Sequence, residues 1–371
     1  MKYHLPKRLL TAFLAICLFV SLAGCSGAGK NGDHALNVPD DNCRTYYEIF
    51  VRSFFDSDGN GIGDLNGITQ KLDYLNDGDD KTDTDLGFNG IWLMPIMPSP
   101  SYHKYDVTDY TAIDPAYGTL EDFQSLLDAC HARGIRLIID FVFNHTSAKH
   151  PWFLQAVDYY KTLAPGAKPD YAVCPYAGYY HFSTDKKGAS GWYRVGNTEW
   201  YYEGKFWDQM PDLALENEQV RRELESAASF WLNMGVDGFR LDAVKEYVSG
   251  SPESNIEILS WFSNYVTSVN PNAYLVGEAW ETNAVGLSVY YKSGITSLFD
   301  FPVAQATGSV ATVIKGESGE KLASLLARSK EVYGAVNPNF IDAPFLSNHD
   351  TSRVSAQYVN DIRKMKLAAG I

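Results

Sequence analysis

The 371 residues carry 31 basic and 45 acidic side chains, a formal charge of −14. Phosphate backbones are bound by basic surfaces, so this balance excludes a nucleic-acid partner and fits an exported protein acting on an uncharged substrate. The length allows one large domain or two small ones, and the 14% aromatic content suits the apolar faces of sugar rings as well as a large core.

The chain opens on an export signal over residues 1–25. Lys2, Lys7 and Arg8 give a basic start, 9–20 is apolar, and small residues follow. The apolar stretch is too short to serve comfortably as a permanent spanning helix. It ends in Leu22-Ala23-Gly24-Cys25, which resembles the lipobox of bacterial lipoproteins. That resemblance implies lipidation of Cys25 and a protein held at the cell surface or in the periplasm, touching a bacterial membrane only through its lipid. Residues 26–43, small and polar at first, read as a tether. Beyond the signal only Cys43, Cys130 and Cys174 remain; their spacing fits no metal motif, and they leave room for one disulfide.

Short apolar runs then alternate with amphipathic helical stretches, the pattern of an α/β fold with a parallel sheet. Strands are predicted over 46–51, 90–94, 136–143, 238–241, 274–277, 297–300 and 343–346. Thr119 is a predicted N-cap, with Glu121 and Asp122 in the first turn and Gly134 near the helix end. Helical spacing also marks 218–233, 255–269, 320–333 and 361–369. This reads as most of a (β/α)8 TIM-type barrel, since no glycine-rich dinucleotide fingerprint follows the first strand to favour a doubly wound sheet. Residues 146–207 break the alternation. Rich in Tyr, Gly and Pro, with no evident helix, they are predicted to form a small, separate, irregular domain overhanging the site. The first three barrel strands then occupy 44–145 and the next four 208–371. No eighth strand is found before Ile371, so the chain reads as truncated, with two open sheet edges.

In a parallel barrel the chemistry lies at the C-terminal ends of the strands. Four predicted ends carry polar residues that an apolar strand does not need: DFVFNH at the third, GFRLDAVKE at the fourth, VGEAW at the fifth and FLSNHD at the seventh. Strand alternation puts Gly238, Arg240 and Asp242 on one face, so Arg240 is expected beside Asp242, where a cation suits an anionic carboxylate. In this order the four segments resemble the four conserved regions of the α-amylase family of glycoside hydrolases, a likeness running from about Tyr46 to the chain end. It is supported by GFNGIWLMPIMPSPSYHKYDVTDY at the second strand and by MPDL over 210–213. The resemblance implies Asp242 as nucleophile, Glu278 as general acid/base and Asp350 as the third carboxylate that steadies an oxocarbenium-like transition state. It implies substrate contacts from Tyr105, Asp106, His145, Arg240, Lys245 and His349. Lys104 stands where the family usually has a small residue, and Trp280 is a possible sugar platform.

The segment DSDGNGIGD over 56–64 offers oxygen ligands around glycine turns, which suits a hard cation such as Ca²⁺. It lacks the EF-hand glutamate and resembles the family's calcium loop, with side chains of Asp56, Asp58, Asn60 and Asp64 and the backbone carbonyl of Ile62. Glu246 stands where a second family calcium site has a His. The MPDL segment resembles members intermediate between oligo-1,6-glucosidases and neopullulanases, and Ala243 replaces the Val of members that cut α-1,6 bonds. The expectation is endo-acting hydrolysis of α-1,4 bonds in starch or maltooligosaccharides by a monomer. An α-glucosidase or transglycosylase, or a non-catalytic sugar binder, are the alternatives.

Overall fold

The computed structural model describes residues 39–186, 190–316 and 318–371. The export signal, Cys25 and most of the tether lie outside the described residues. No helix among the described residues is long and apolar enough to cross a membrane.

Seven strands form one sheet: β1 (Tyr46–Ile49), β2 (Gly90–Leu93), β3 (Arg136–Phe141), β7 (Gly238–Leu241), β8 (Tyr274–Gly277), β9 (Ser297–Phe299) and β10 (Ile341–Ala343). They lie in that order, and each neighbouring pair is parallel. Three short strands, β4 (Phe182–Ser183), β5 (Trp192–Arg194) and β6 (Tyr201–Glu203), make a separate antiparallel sheet in the insert.

Alternation along each strand sorts the side chains into two cores. Outward-facing Ile49, Ile91, Leu137, Ile139, Phe239 and Leu241 are buried beneath the surrounding helices in one large cluster. Each such side chain contributes about 1.5–3 kcal/mol through burial. Inward-facing Trp92, Ile138, Tyr274 and Val276 make a second cluster with Tyr46 and Phe299. The Tyr46 and Tyr274 rings stack 5.2 Å apart although β1 and β8 are not neighbours, so the sheet is curled upon itself as in a barrel. Gly238, paired in register with Tyr274 on β8, leaves no room for a side chain: its φ is +147° and its missing Cβ would collide with the Tyr274 backbone.

The helices start and stop where the chain provides caps. Thr119 and Asp122 form a reciprocal capping box for helix Leu120–His131. Helix Glu218–Met234 ends on left-handed Gly235. Ser251 and Asp361 cap helices Pro252–Val269 and Ile362–Ala369.

The structure differs from the expectations at strand ends and in the insert. The last strand occupies Ile341–Ala343 rather than 343–346, because Pro344 has no N–H to continue a ladder. The first and third strands end early, at Ile49 and Phe141. The insert contains a three-turn helix, Pro151–Thr162, capped by His150 and burying Phe153, Ala156 and Tyr160 on one face. Those same residues join the barrel's large core, so the insert is not a compact unit apart from it. The disulfide state, which the sequence left open, resolves to three free thiols at Cys43, Cys130 and Cys174.

Candidate active site

Arg240 projects from the inner face of β7 and is completely buried. Its Nη1 donates to both oxygens of Asp140 at 2.9 and 3.0 Å and to Asp242 Oδ1 at 2.6 Å. Its Nη2 pairs with Glu278 Oε2 at 3.0 Å. The guanidinium packs between the Trp92 and Tyr105 rings, 5.2 and 5.7 Å from their centroids. One positive charge thus faces three carboxyls in a site from which water is largely excluded. Ionising all three leaves uncompensated buried charge, so a proton is retained. Burial first, then the nearby Asp242 and Asp350 carboxylates, pushes Glu278 up to about 7 against the pull of Arg240. Asp140 is likewise raised, to about 6, mainly by burial.

The backbone turns sharply after β7. Ala243 sits in the left-handed region at φ +49°, which brings its N–H onto Glu278 Oε2 at 3.1 Å. Strain of this kind is tolerated where it positions functional groups.

His349 follows β10 and reaches across to β1, where its Nδ1 lies 2.6 Å from Glu48 Oε1. Its Nε2 lies 2.8 Å from the Tyr105 hydroxyl and 3.1 Å from Asp350 Oδ2. Burial opposes a charge on this ring, but hydrogen bonds to Asp350 and Glu48 prevail and raise its pKa to about 10. Asp350 moves the other way: burial would raise it, and the His349 contact holds it below the usual carboxylate range. His145 is buried. Asn144 Nδ2 donates to its Nδ1 at 3.2 Å, and its Nε2 faces the Tyr105 carbonyl at the same distance. Desolvation lowers its pKa, leaving a neutral ring.

Asp242, Glu278, Asp350, Tyr105, His145, Lys245 and His349 all line one cleft of about 880 Å³. Trp280 lines it too, half exposed and stacked on Phe301. Arg240 lies directly beneath. Asp106 is placed differently: it is buried away from the cleft, accepting hydrogen bonds from Ser99, Ser101 and Ser147, and so supports the loop that carries Tyr105. Lys245 Nζ is held by the Trp280 carbonyl at 2.9 Å and by Glu281 at 2.8 Å. Lys104 resolves the question its size raised. It adopts φ +63°, as a glycine would, and buries its ammonium on Asp114 at 2.6 Å.

Three residues of the site were missed in the sequence: Asp140, Glu48 and Trp92. Asp140 could have been found, since it stands in DFVFNH and pairs in register with Arg240 across β3 and β7. Glu48 was the lone acid in YYEIF. The MPDL segment clips the insert to the site: Leu213 N donates to the Asn144 carbonyl at 3.0 Å and Thr146 N to that of Pro211 at 3.1 Å.

The acidic loop lies apart from the cleft residues in sequence. Carboxylate oxygens of Asp56, Asp58 and Asp64 come within 4.8 Å of one another, an all-oxygen donor set that fits a hard cation. Gly59 and Gly61, both at positive φ, fold the loop so that Asp56 accepts N–H bonds from Gly59 and Gly61 at 2.7 Å. Asn60 Oδ1 accepts from Ile62 N at 2.8 Å. Asp64 also caps helix Leu65–Gln70, accepting from Gly67 N at 2.6 Å.

A parallel curled barrel with a buried Arg–carboxylate cluster at its C-terminal strand ends defines an enzyme of the glycosidase type. Residues 48–371 match the model of the alpha amylase catalytic domain, and the chain belongs to the α-amylase family of glycoside hydrolases. It is 41% identical to Alpha-amylase 3 of Dictyoglomus thermophilum over 91% of this chain and 62% of that protein. It is 36% identical to an oligo-1,6-glucosidase of Parageobacillus thermoglucosidasius over 62% of this chain and 40% of that one. Among solved structures, Eubacterium rectale Amy13B superposes with a TM-score of 0.84 at 48% identity, covering 90% of this chain and 64% of that one. The chain thus spans less than two thirds of the length of these relatives.

Proposed function

We propose that the protein hydrolyses internal α-1,4 bonds of starch or maltooligosaccharides with retention of configuration. The observation that carries this reading is the forked grip of Arg240 on Asp242 and Glu278. Two carboxyls held by one guanidinium fit the short separation of about 5 Å that retaining glycosidases use, too small to admit the water of an inverting mechanism. Asp242 attacks the anomeric carbon while Glu278 protonates the departing oxygen. Glu278, held up to about 7, keeps its proton for that first step and then removes one from the water that frees the glycosyl-enzyme. Asp350, held ionised by His349, faces the positive charge that develops on the ring. Tyr105, His145 and Lys245 line the same cleft, which supports the resemblance's reading of Tyr105 and His145 at the sugar being cut and Lys245 at the sugar beyond it.

The similarity to an α-amylase over 91% of the chain and the small Ala243 beside the nucleophile support the α-1,4 reading. The similarity to oligo-1,6-glucosidases keeps exo-cleavage or transfer as the second reading. Ca²⁺, where bound, would be held by Asp56, Asp58, Asn60, Asp64 and the Ile62 carbonyl and would brace the loop after β1. The lipobox-like end at Cys25 supports a lipid-anchored exported protein that meets its polymer outside the cell.

Reducing-end release from soluble starch, with Asp242→Asn as the blank, tests the reading. Release that vanishes in the variant is expected. No release from a folded chain would move the assignment toward a transferase or a sugar-binding protein.

A further inference from the structure

We propose that Glu48, on β1, is the positioning residue that keeps His349 donating from both ring nitrogens and, through it, holds Asp350 for the reaction. The inference rests on the proposed role of Asp350 and deepens it.

The hydrogen-bond directions fix the ring's state. The Tyr105 hydroxyl donates to Asp140 Oδ2 at 3.0 Å, which spends its only proton. Toward His349, 2.8 Å away, that oxygen can therefore only accept, so Nε2 carries a hydrogen, shared with Asp350 Oδ2 at 3.1 Å. On the other side Nδ1 meets the Glu48 carboxylate at 2.6 Å, so it carries a hydrogen too. An imidazole that donates from both nitrogens is a cation.

The groups facing it are Glu48 from β1, Tyr105 from the loop after β2, Asp140 of β3 beyond Tyr105, and Asp350 from its own segment. The Trp92 ring packs edge-on at 5.8 Å. Of the two carboxylates in direct contact, Asp350 is 46% exposed and screened by solvent, whereas Glu48 is 22% exposed. Both carboxylates hold the proton on His349, Asp350 first and Glu48 second, and Glu48 is the less exposed of the two and the one that engages the other ring nitrogen. Without Glu48 nothing holds a hydrogen on Nδ1, and a neutral His349 offers Asp350 an uncharged Nε2–H in place of a cation's. The same contact joins the two edge strands of the sheet, since Glu48 lies on β1 and His349 follows β10.

The test uses the full chain labelled at its histidine rings. The His349 signal is identified by its absence in His349→Asn, and ring titrations are followed by NMR in the wild type, Glu48→Gln and Glu48→Asp. The glutamine keeps the shape and can still accept from Nδ1; the aspartate keeps the charge. In the wild type His349 is expected to stay protonated beyond pH 8. In Glu48→Gln its midpoint should fall by at least one pH unit, a tenfold weaker hold on the proton, while Glu48→Asp should stay nearer the wild type. Where starch is cut, kcat of Glu48→Gln should drop about tenfold more at pH 8 than at pH 5.5, with KM changed less than kcat. A wild-type His349 already neutral at pH 7 overturns the proposal. So does an unchanged midpoint in Glu48→Gln, or a loss in Glu48→Asp equal to that in Glu48→Gln, which marks Glu48 as packing only. The ring titration needs no turnover, so it stands whether or not the chain cuts starch.

Discussion

Arg240 meets Asp140, Asp242 and Glu278 with one positive charge, and this imbalance governs the site's behaviour with pH. In the proposed role of general acid Glu278 brings a proton to the first step, so activity on that proposal belongs to its protonated form and is lost as pH rises through its value of about 7. The expected kcat/KM profile on maltooligosaccharides therefore falls above about pH 7. Glu278→Gln should lose about 10²–10⁴-fold in rate together with that limb; a limb that survives in the variant would assign the acid elsewhere. Lys104 and Asp114 make a second buried pair, 5% and 9% exposed. Lys104→Met leaves the Asp114 carboxylate without its counter-ion, held only by the N–H groups of Ser99 and Ala116, and should cost about 3–5 kcal/mol, read from denaturant midpoints. A loss under 1 kcal/mol would mean that the pair behaves as a solvated one. At this scale the clustered carboxyls Asp242, Glu278 and Asp350, together with Arg240, were legible because they interrupt apolar strand ends. The inward turn of Asp106 onto serines was not legible, because a motif gives a residue's neighbours in sequence and not the partners that fold around it. Glu48 was missed because its partner, His349, lies across the barrel mouth, and no local pattern records that contact.

Among the elements, the strands were the easiest to find, since a buried parallel strand is a continuous apolar run. Their ends were less legible, because Phe50 and Val51 after the first strand and Val142 and Phe143 after the third are as apolar as the strands they follow. Helix Pro151–Thr162 was hidden by its composition. Its buried Phe153, Ala156 and Tyr160 keep helical spacing, with Trp152 and Tyr159 beside them, but exposed Leu154 falls on the polar side and the flanking Tyr-, Gly- and Pro-rich chain masks the period. Two predictions belong here. In Gly238→Ala a Cβ must enter the Tyr274 backbone, so a loss of more than about 3 kcal/mol is expected, seen as insoluble or unfolded protein. In the loop after β1, saturating Ca²⁺ should raise the melting temperature by about 5 °C over chelated protein, the shift that a ligand at roughly a hundred times its Kd gives a large domain. Asp56→Ala should abolish the difference. An equal calcium response in that variant would locate the ion elsewhere.

Across the whole molecule the raised groups outweigh the lowered ones above neutrality. Glu278 and Asp212 are held up to about 7 and Asp300 to about 8, chiefly by burial. His181 and His349 are held up to about 10 by their carboxylate partners, against burial. In each case the folded chain binds protons that the unfolded chain has released, so stability falls as pH rises. The depressed carboxylates Asp56, Asp122 and Asp350 and the depressed histidines His145 and His150 act only below the ordinary values of those groups. Melting temperature is therefore expected to decline steadily between about pH 7 and pH 10. A flat profile there would contradict the buried ion-pair assignments. The barrel class was legible in the alternation of strands and helices, and the insert was legible as an interruption. The single core shared by insert and barrel was not, because shared burial is a property of the assembled fold. The measurement that bears most directly on the central claim is the configuration of the first product released from a maltooligosaccharide, followed by proton NMR before mutarotation. Asp242 and Glu278 acting as nucleophile and acid/base require the α-anomer; first appearance of the β-anomer would contradict double displacement and with it the roles given to both carboxyls.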